Sequence, residues 1–595
     1  MSSYFLPAVC VHATMRHMQK RWNILETPPA EFIASCGEAH PVVARLLWHR
    51  NIRTPEEIKA FLRPSFEEHV HSPFLFSQMD AAVKRILLAL EKGERIIVFG
   101  DYDADGLTGS ATILTTLRQI RAALYPSAEE HISFYVPHRD KEGYGLQMSQ
   151  AERFAKDGTQ LIITVDCGIS CVQEIAHVRA HGVDVVVVDH HQFGEVLPDA
   201  ILIHPSIPGE TYPFPFLAAV GVAWKVASAL ILRARELGAS LPEGCEKWLL
   251  DLVAIATVTD MVPLVGENRV LERYGLMVLN KTRRPGLRAL IGTSGLTPGT
   301  ITARDIGFVI GPRLNAPSRM DHAAIGLELL TSTSDDEAFR LANELEALNR
   351  ARQEAMTLMM READDLLTSF SEDAPLHVLW RDDWSPALVG LVAGRVADRY
   401  GVPVIAIGKH GGQWIGSGRS IPSYDITEAV KRAGEGLLTR SGGHAQACGF
   451  AFTEDEYLPV FADRLRKDAA ELISEADLGP SMDVHAEVTL REIDWVLLEE
   501  LDRLEPYGMH NPSPLFVVRN VEVVSSSTVG KDGKHLRLTA RSSDGVTRPF
   551  IAFGFGHRVG EAMHRTYLDI VCTIAPTEWN GRKDIQCKVV DFRQA

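Results

Sequence analysis

Between residues 81 and 203, short apolar runs alternate with stretches of helical spacing. Residues 96–99, 161–165, 183–188 and 200–203 are almost entirely aliphatic or β-branched, and residues 131–136 form a weaker fifth run. Runs of this kind predict strands covered on both faces, hence a parallel sheet between layers of helix. Residues 81–91 and 107–123 supply two such helices, and helical patterning dominates from 216 to 260 and beyond. Ahead of the sheet, residues 22–80 read as short helices broken at Pro41, Pro55, Pro64 and Pro73. Residues 336–370, rich in Ala, Leu, Glu and Arg and without Gly or Pro, predict one long helix linking two globular parts.

A second α/β set follows: a strand at 377–380, a helix at 387–400, a strand at 402–407, a Gly-rich run at 408–420 and a strand at 449–452. From Pro506, short strands at 515–525, 536–540, 550–553 and 568–574 alternate with turns such as Lys531-Asp-Gly533 and Trp579-Asn-Gly581, a β pattern of small-barrel size. The fold class expected is multidomain α/β. A helical extension covers 1–80, a parallel-sheet domain 81–334, a linking helix 335–372, a second α/β domain 373–480 and a β-barrel 481–595.

Charge changes this picture at one end. The chain has 61 Lys+Arg against 77 Asp+Glu, a net of −16, which counts against a wholesale basic nucleic-acid binder. From Pro506 to Ala595, 12 Lys+Arg stand against 8 Asp+Glu, a net of +4, so an acidic chain ends in a basic module. No apolar run reaches the ~18 residues of a membrane span. Residues 1–12 are a poor signal peptide, and the opening residues read as a disordered tail or an over-long start. Eight cysteines without a CxxC pair argue for a reducing, cytoplasmic setting and against zinc ribbons. Cys167 and Cys171 read as small apolar residues rather than ligands.

The candidate chemistry sits at strand ends. The run at 96–99 stops at Gly100, and Asp101, Asp103 and Asp105 follow at alternate positions. Residues 161–165 end in Asp166, residues 183–188 end in Asp189-His190-His191, and a helical run ends in Asp260. In a parallel sheet the strand C-termini share one edge, so these side chains should converge. Clustered carboxylates repel unless cations compensate them. Mixed Asp and His ligands suit Mn²⁺ or Mg²⁺, and there are enough donors for two ions clamping a phosphoryl displacement. An EF-hand reading of the Asp101 loop fails, because its twelfth position is Thr112 and a strand precedes it. Asp166 alone could equally be a helix N-cap.

Gly100-Asp-Tyr-Asp-Ala-Asp-Gly106, Val165-Asp-Cys-Gly168, Asp189-His-His191, Gly311-Pro-Arg-Leu-Asn-Ala-Pro317 and Ser441-Gly-Gly-His444 together resemble the DHH phosphoesterase superfamily, most closely its bacterial RecJ-type branch. The resemblance implies a catalytic DHH domain, a linking helix, a DHH-associated domain and an OB-fold. It implies metal ligation by Asp103, Asp105, Asp166, His190 and Asp260, with Asp166 bridging. His191 would stand beside the scissile phosphate or complete the metal shell, and Asp101 would be a ligand or a loop brace. Arg313, Asn315, Ser417, Arg419 and His444 would grip substrate phosphate. The chain departs from the family where Asp382-Asp-Trp-Ser385 replaces the usual Glu-Gly-Trp-His, and Gly418 stands where alanine is common.

The activity implied is metal-dependent 5′→3′ hydrolysis of single-stranded DNA to mononucleotides by a monomer acting in DNA repair and recombination. Single-strand-binding protein and a RecQ-type helicase are the implied partners. Two other readings remain open: a superfamily enzyme acting on pyrophosphate, cyclic dinucleotides or very short RNA, and a non-catalytic DNA-binding scaffold. The added barrel weighs against the first, and the filled ligand positions weigh against the second.

Overall fold

The strands Ile132–Tyr135, Ile96–Gly100, Leu161–Val165, Asp184–Val188 and Ile201–Ile203 lie side by side in that order in the computed structural model, all parallel. The structure describes residues 20–37, 39–368, 374–579 and 581–595. The expectations about a leader or tail at residues 1–12 lie outside them. Alternation within the strands divides the core. Val98, Ile163, Val186 and Val188 pack with the helices Met79–Lys92, Ala104–Leu124, Ala219–Glu236 and Leu250–Thr259. Phe99, Ile162, Val185 and Val187 pack on the other side with the helices Met148–Lys156 and Val172–Ala180. Two dry faces explain the near-continuous apolar runs.

The register places the chemistry. Gly100 pairs with Val165, Val165 with Val188 and Val188 with Ile203, so the strands end in one row. The next residues continue that row: Asp101 N donates to Val165 O (3.1 Å), Asp166 N to Val188 O (2.9 Å) and Asp189 N to Ile203 O (3.3 Å).

The chain forms two compact units, Leu25–Ala355 with His485–Ala595, and Met356–Val484 with residues 20–24. In the first, the strands Phe516–Val529, His535–Arg541, Thr547–Ala552, Arg582–Gln594 and Tyr567–Trp579 close into a barrel, because Phe516–Val529 also pairs with Tyr567–Trp579. The N-terminal helices Pro41–His49 and Pro55–Leu62 share this barrel's core: Val42, Leu46, Leu47 and Phe61 pack with Leu497, Phe516 and Phe550. Arg269, from the helix Gly266–Leu279, donates to the carbonyls of Phe61, Arg503, Leu504 and Glu505.

In the second unit a mixed sheet runs Arg440–His444, Ala447–Phe452, Gln413–Arg419, Val404–His410, His377–Trp380. The Gly-rich run at 408–420 is therefore largely a strand in a hairpin. Glycine is required there by packing: a Cβ on Gly416 would fall 2.1 Å from Phe450 Cζ. The pattern from Trp22 predicts helix, but Arg21–Ile24 is a strand paired in parallel with Ser481–Val484. Residues 481–484 accordingly pair with that strand and not with the barrel strands. The long helix spans Asp335–Leu367. No helix among the described residues is long and apolar enough to cross a membrane.

Candidate metal centre

Three donor groups crowd the C-terminal edge of the parallel sheet. Asp101, Asp103 and Asp166 form one, Asp105, His190 and Asp260 a second, and Asp166, His190 and His191 a third, each with its ligand atoms within 4.8 Å of one another. His190 Nε2 stands 3.4 Å from Asp166 Oδ1, 3.5 Å from Asp260 Oδ2 and 3.7 Å from Asp105 Oδ2. Asp166 and His190 thus join the groups into one centre.

Local structure explains how each side chain is held. Asp103 caps the helix Ala104–Leu124, its Oδ1 accepting from the amides of Asp105 (2.9 Å) and Gly106 (3.2 Å). Gly106 is needed for close approach: a Cβ there would lie 2.5 Å from Asp101 O. Asp105 receives the Ala219 and Val220 amides at 2.8 Å each, at the N-terminus of a second helix whose dipole favours a carboxylate. Asp166 has a left-handed backbone (φ 63°) and its helix starts only at Val172, so it is no N-cap. Asp260 ends the helix Leu250–Thr259.

The electrostatics call for cations. Burial, reinforced by Asp103, pushes the Asp105 carboxyl up to about 7 even against its two amide bonds. Burial and then Asp105 and Asp103 push Asp260 up to about 9. Burial followed by neighbouring carboxylates raises Asp101 and Asp166 well above the carboxylate range. Burial, then His191, lowers His190 to about 4, which keeps it neutral and able to donate a lone pair. Asp101 Oδ1, Asp166 Oδ1 and His190 Nε2 are buried and have no hydrogen-bond partner among the described residues. Buried polar atoms are ordinarily paired. All three belong to the donor groups above, and hard divalent cations would complete their bonding.

Asp189 plays a different part. Fully buried, it accepts from the amides of His190 (2.8 Å) and Ile169 (3.0 Å) and holds His191 Nδ1 at 2.9 Å. Burial alone would raise its carboxyl, but the His191 bond and charge override that and lower it. Burial likewise disfavours charge on His191, and the Asp189 bond reverses this and raises it. Tyr144 completes the support, its hydroxyl lying 3.0 Å from Asp166 O and 3.1 Å from His191 Nδ1. His204 Nε2 reaches His191 O at 2.8 Å. In sequence Asp189 stands out only as part of the Asp-His-His run, without a role of its own, and Tyr144 is hidden in a Gly-rich turn.

The expected phosphate grips fall in both units. Asn315 Oδ1 accepts from Ala104 N at 2.7 Å, so it braces the loop between Asp103 and Asp105. Arg313 is drawn into an ion pair with Glu346 (2.7 Å) and donates to Val309 O. In the other unit Arg419 donates to Ser417 Oγ at 3.0 Å, and both face Gly390, where a Cβ would come within 3.1 Å of Ser417 Oγ. His444 is exposed at the end of the strand Arg440–His444. Ser385 stands at the N-cap of the helix Pro386–Tyr400 without a side-chain capping bond, while buried Trp384 donates to Glu362 at 2.8 Å.

Comparison with known proteins agrees with this architecture. Residues 95–257 match the DHH family, N-terminal domain, residues 373–471 the DHHA1 domain and residues 484–591 the RecJ OB domain. The single-stranded-DNA-specific exonuclease RecJ of Bacillus subtilis (strain 168) is 34% identical over 96% of this chain and 70% of its own length. Its namesake from Haemophilus influenzae is 30% identical over 93% of this chain and 96% of its own. The crystal structure of RecJ from Thermus thermophilus in complex with Mn²⁺ superposes with a TM-score of 0.79 at 29% identity, covering 97% of this chain and 80% of that one. With the three domains matched in order and these relatives at 30% identity or more covered over more than two thirds of their length, the chain belongs to the RecJ family.

Proposed function

We propose that the chain is a metal-dependent exonuclease that hydrolyses single-stranded DNA to 5′-mononucleotides in the 5′→3′ direction. The observation that carries this reading is the row Asp101, Asp166, Asp189 at one sheet edge, with buried donors left unpaired around it among the described residues. Asp103, Asp105, Asp166, His190 and Asp260 would hold two Mn²⁺ or Mg²⁺ ions, and Asp101 stands in one donor group with Asp103 and Asp166. Bound there, the ions supply Lewis acidity to a phosphoryl oxygen and lower the pKa of an attacking water.

The chain's own residues set the rest. Asp189 orients His191 through its Nδ1, so His191 stands as a hydrogen-bonding group beside the phosphodiester. Asn315 fixes the metal loop from behind. Ser417 and Arg419 offer a hydroxyl and a guanidinium for a terminal phosphate, and Arg313 and His444 add further phosphate contacts. The basic barrel binds the strand by backbone charge and stacking. A monomer in the cytoplasm, served by single-strand-binding protein and a RecQ-type helicase, fits this role. Degradation rates unchanged by adding either protein would remove it as a partner.

The deciding experiment titrates Mn²⁺ and Mg²⁺ against 5′- and 3′-labelled strands with wild type and Asp166→Asn. Asparagine tolerates the left-handed backbone at 166, so the variant should fold, with metal-free stability unchanged or higher because the cost of keeping a buried carboxyl protonated among other carboxylates is gone. Activity should fall by about 10²–10³-fold, the scale of losing a principal electrostatic group. Full activity in Asp166→Asn, or release that starts from the 3′ end, would reject the assignment.

A further inference from the structure

Two exposed apolar side chains lie on the segments that meet at Asp260. Met261, directly after Asp260, is 66% exposed with a left-handed backbone (φ 58°), and Phe308 is 72% exposed. Single exposed apolar side chains are common on protein surfaces. These two differ in where they sit. Phe308 belongs to the π-helix Ile306–Ile310, a rare geometry often found at functional sites. Gly307 lies against Val258, where a Cβ would be 3.5 Å from Val258 Cγ1. Gly311 is tighter still, a Cβ there falling 2.3 Å from Thr259 Cγ2. The π-helix is therefore seated on the last turn before Asp260. Four residues past Gly311, Asn315 bonds the amide between Asp103 and Asp105. The segment carrying Phe308 is thus held between the last turn before Asp260 and, through Asn315, the loop of Asp103 and Asp105.

The charge beside the ring names the occupant. Arg304 places its guanidinium 4.9 Å from the Phe308 ring centroid. An exposed aromatic ring with an arginine against it is the pairing by which proteins hold unpaired bases, since every base has a π-face and every nucleotide a phosphate. We propose that Phe308, Met261 and Arg304 form a stacking shelf for one nucleobase of the strand next to the scissile phosphate. The proposal rests on the single-strand nuclease reading above and adds to it a base-contacting site that is independent of sequence.

The test uses the full chain and steady-state kinetics on two oligonucleotides, one intact and one with abasic residues at its first 5′ positions. Stacking lost by alanine substitution should raise KM on the intact strand by about 5- to 100-fold with kcat nearly unchanged. Wild type should lose a similar factor on the abasic strand, Phe308→Ala should lose little more there, and Phe308→Trp should restore KM. Met261→Ala should move KM in the same direction by less. An unchanged KM in Phe308→Ala, or an abasic penalty as large in that variant as in wild type, overturns the shelf, and would fit a protein-docking surface instead. A wild type that degrades no single strand overturns the nuclease reading, and the shelf with it.

Discussion

At the scale of single residues, the centre is a set of carboxylates that cannot all be charged without help. Metal binding requires them deprotonated. Asp105 lies at about 7 and Asp260 at about 9, both above their ordinary value, so at neutral pH protons must leave as the ions arrive. Affinity for Mn²⁺ should therefore weaken as pH falls, by roughly tenfold per pH unit for each proton displaced. Indicator-dye titration in weak buffer should show proton release at pH 7, and Asp260→Asn should release fewer protons. Binding that is flat between pH 5 and 8 would contradict this account. The clustering of the candidate donors was legible in sequence because Asp101, Asp103, Asp105, Asp166 and His190 each follow a strand end, and register alone brings strand ends together. Tyr144 and the Ala219 and Val220 amides were not legible. They act through loop geometry and a helix terminus, and no spacing rule links Tyr144 to Asp166 or Ala219 to Asp105.

Among elements, the clearest lesson comes from glycine. A run from 408 to 420 with repeated glycines reads locally as a turn, since glycine is a poor strand former. The partner strand decides otherwise: Gly416 faces the Phe450 ring and Gly418 faces Cys448 Sγ, where a Cβ would stand at 2.1 and 2.7 Å respectively. The glycines mark side-chain crowding from Ala447–Phe452, which only the folded sheet reveals. Gly416→Ala should accordingly destabilise this unit by about 1–3 kcal/mol through overpacking, read as a lower urea midpoint with an unchanged slope. Replacing Phe450 with leucine in the same chain should recover part of the loss. If Gly416→Ala is neutral, the sheet is more compliant at this point than its packing indicates. The strand Arg21–Ile24 was missed for the opposite reason, because four residues with mixed polarity carry no periodic signal until Ser481–Val484 pairs with them.

For the molecule as a whole, the domain order in sequence is not the order of cores. The N-terminal helices precede the parallel sheet in the chain, yet Phe32, Val42, Leu46, Leu47, Ile58 and Phe61 are buried in the same core as the C-terminal barrel. Arg50 reinforces this by donating to Asn511 Oδ1 and Pro512 O, both at 2.6 Å. Each large apolar side chain so buried contributes ~1.5–3 kcal/mol. Uncovering six of them would cost on the order of 10 kcal/mol, comparable with the whole stability of an ordinary domain. Ending the chain at Val484 should therefore leave an insoluble or dye-binding protein, whatever the strength of the catalytic sheet. Removing residues 25–64 along with 485–595 should recover solubility, since the stranded apolar surface leaves with its cover. The two truncations distinguish a shared core from a merely tethered barrel, because a tethered barrel predicts that the first truncation stays soluble and loses only its grip on long strands. Sedimentation and hydrophobic-dye binding on both proteins decide which holds.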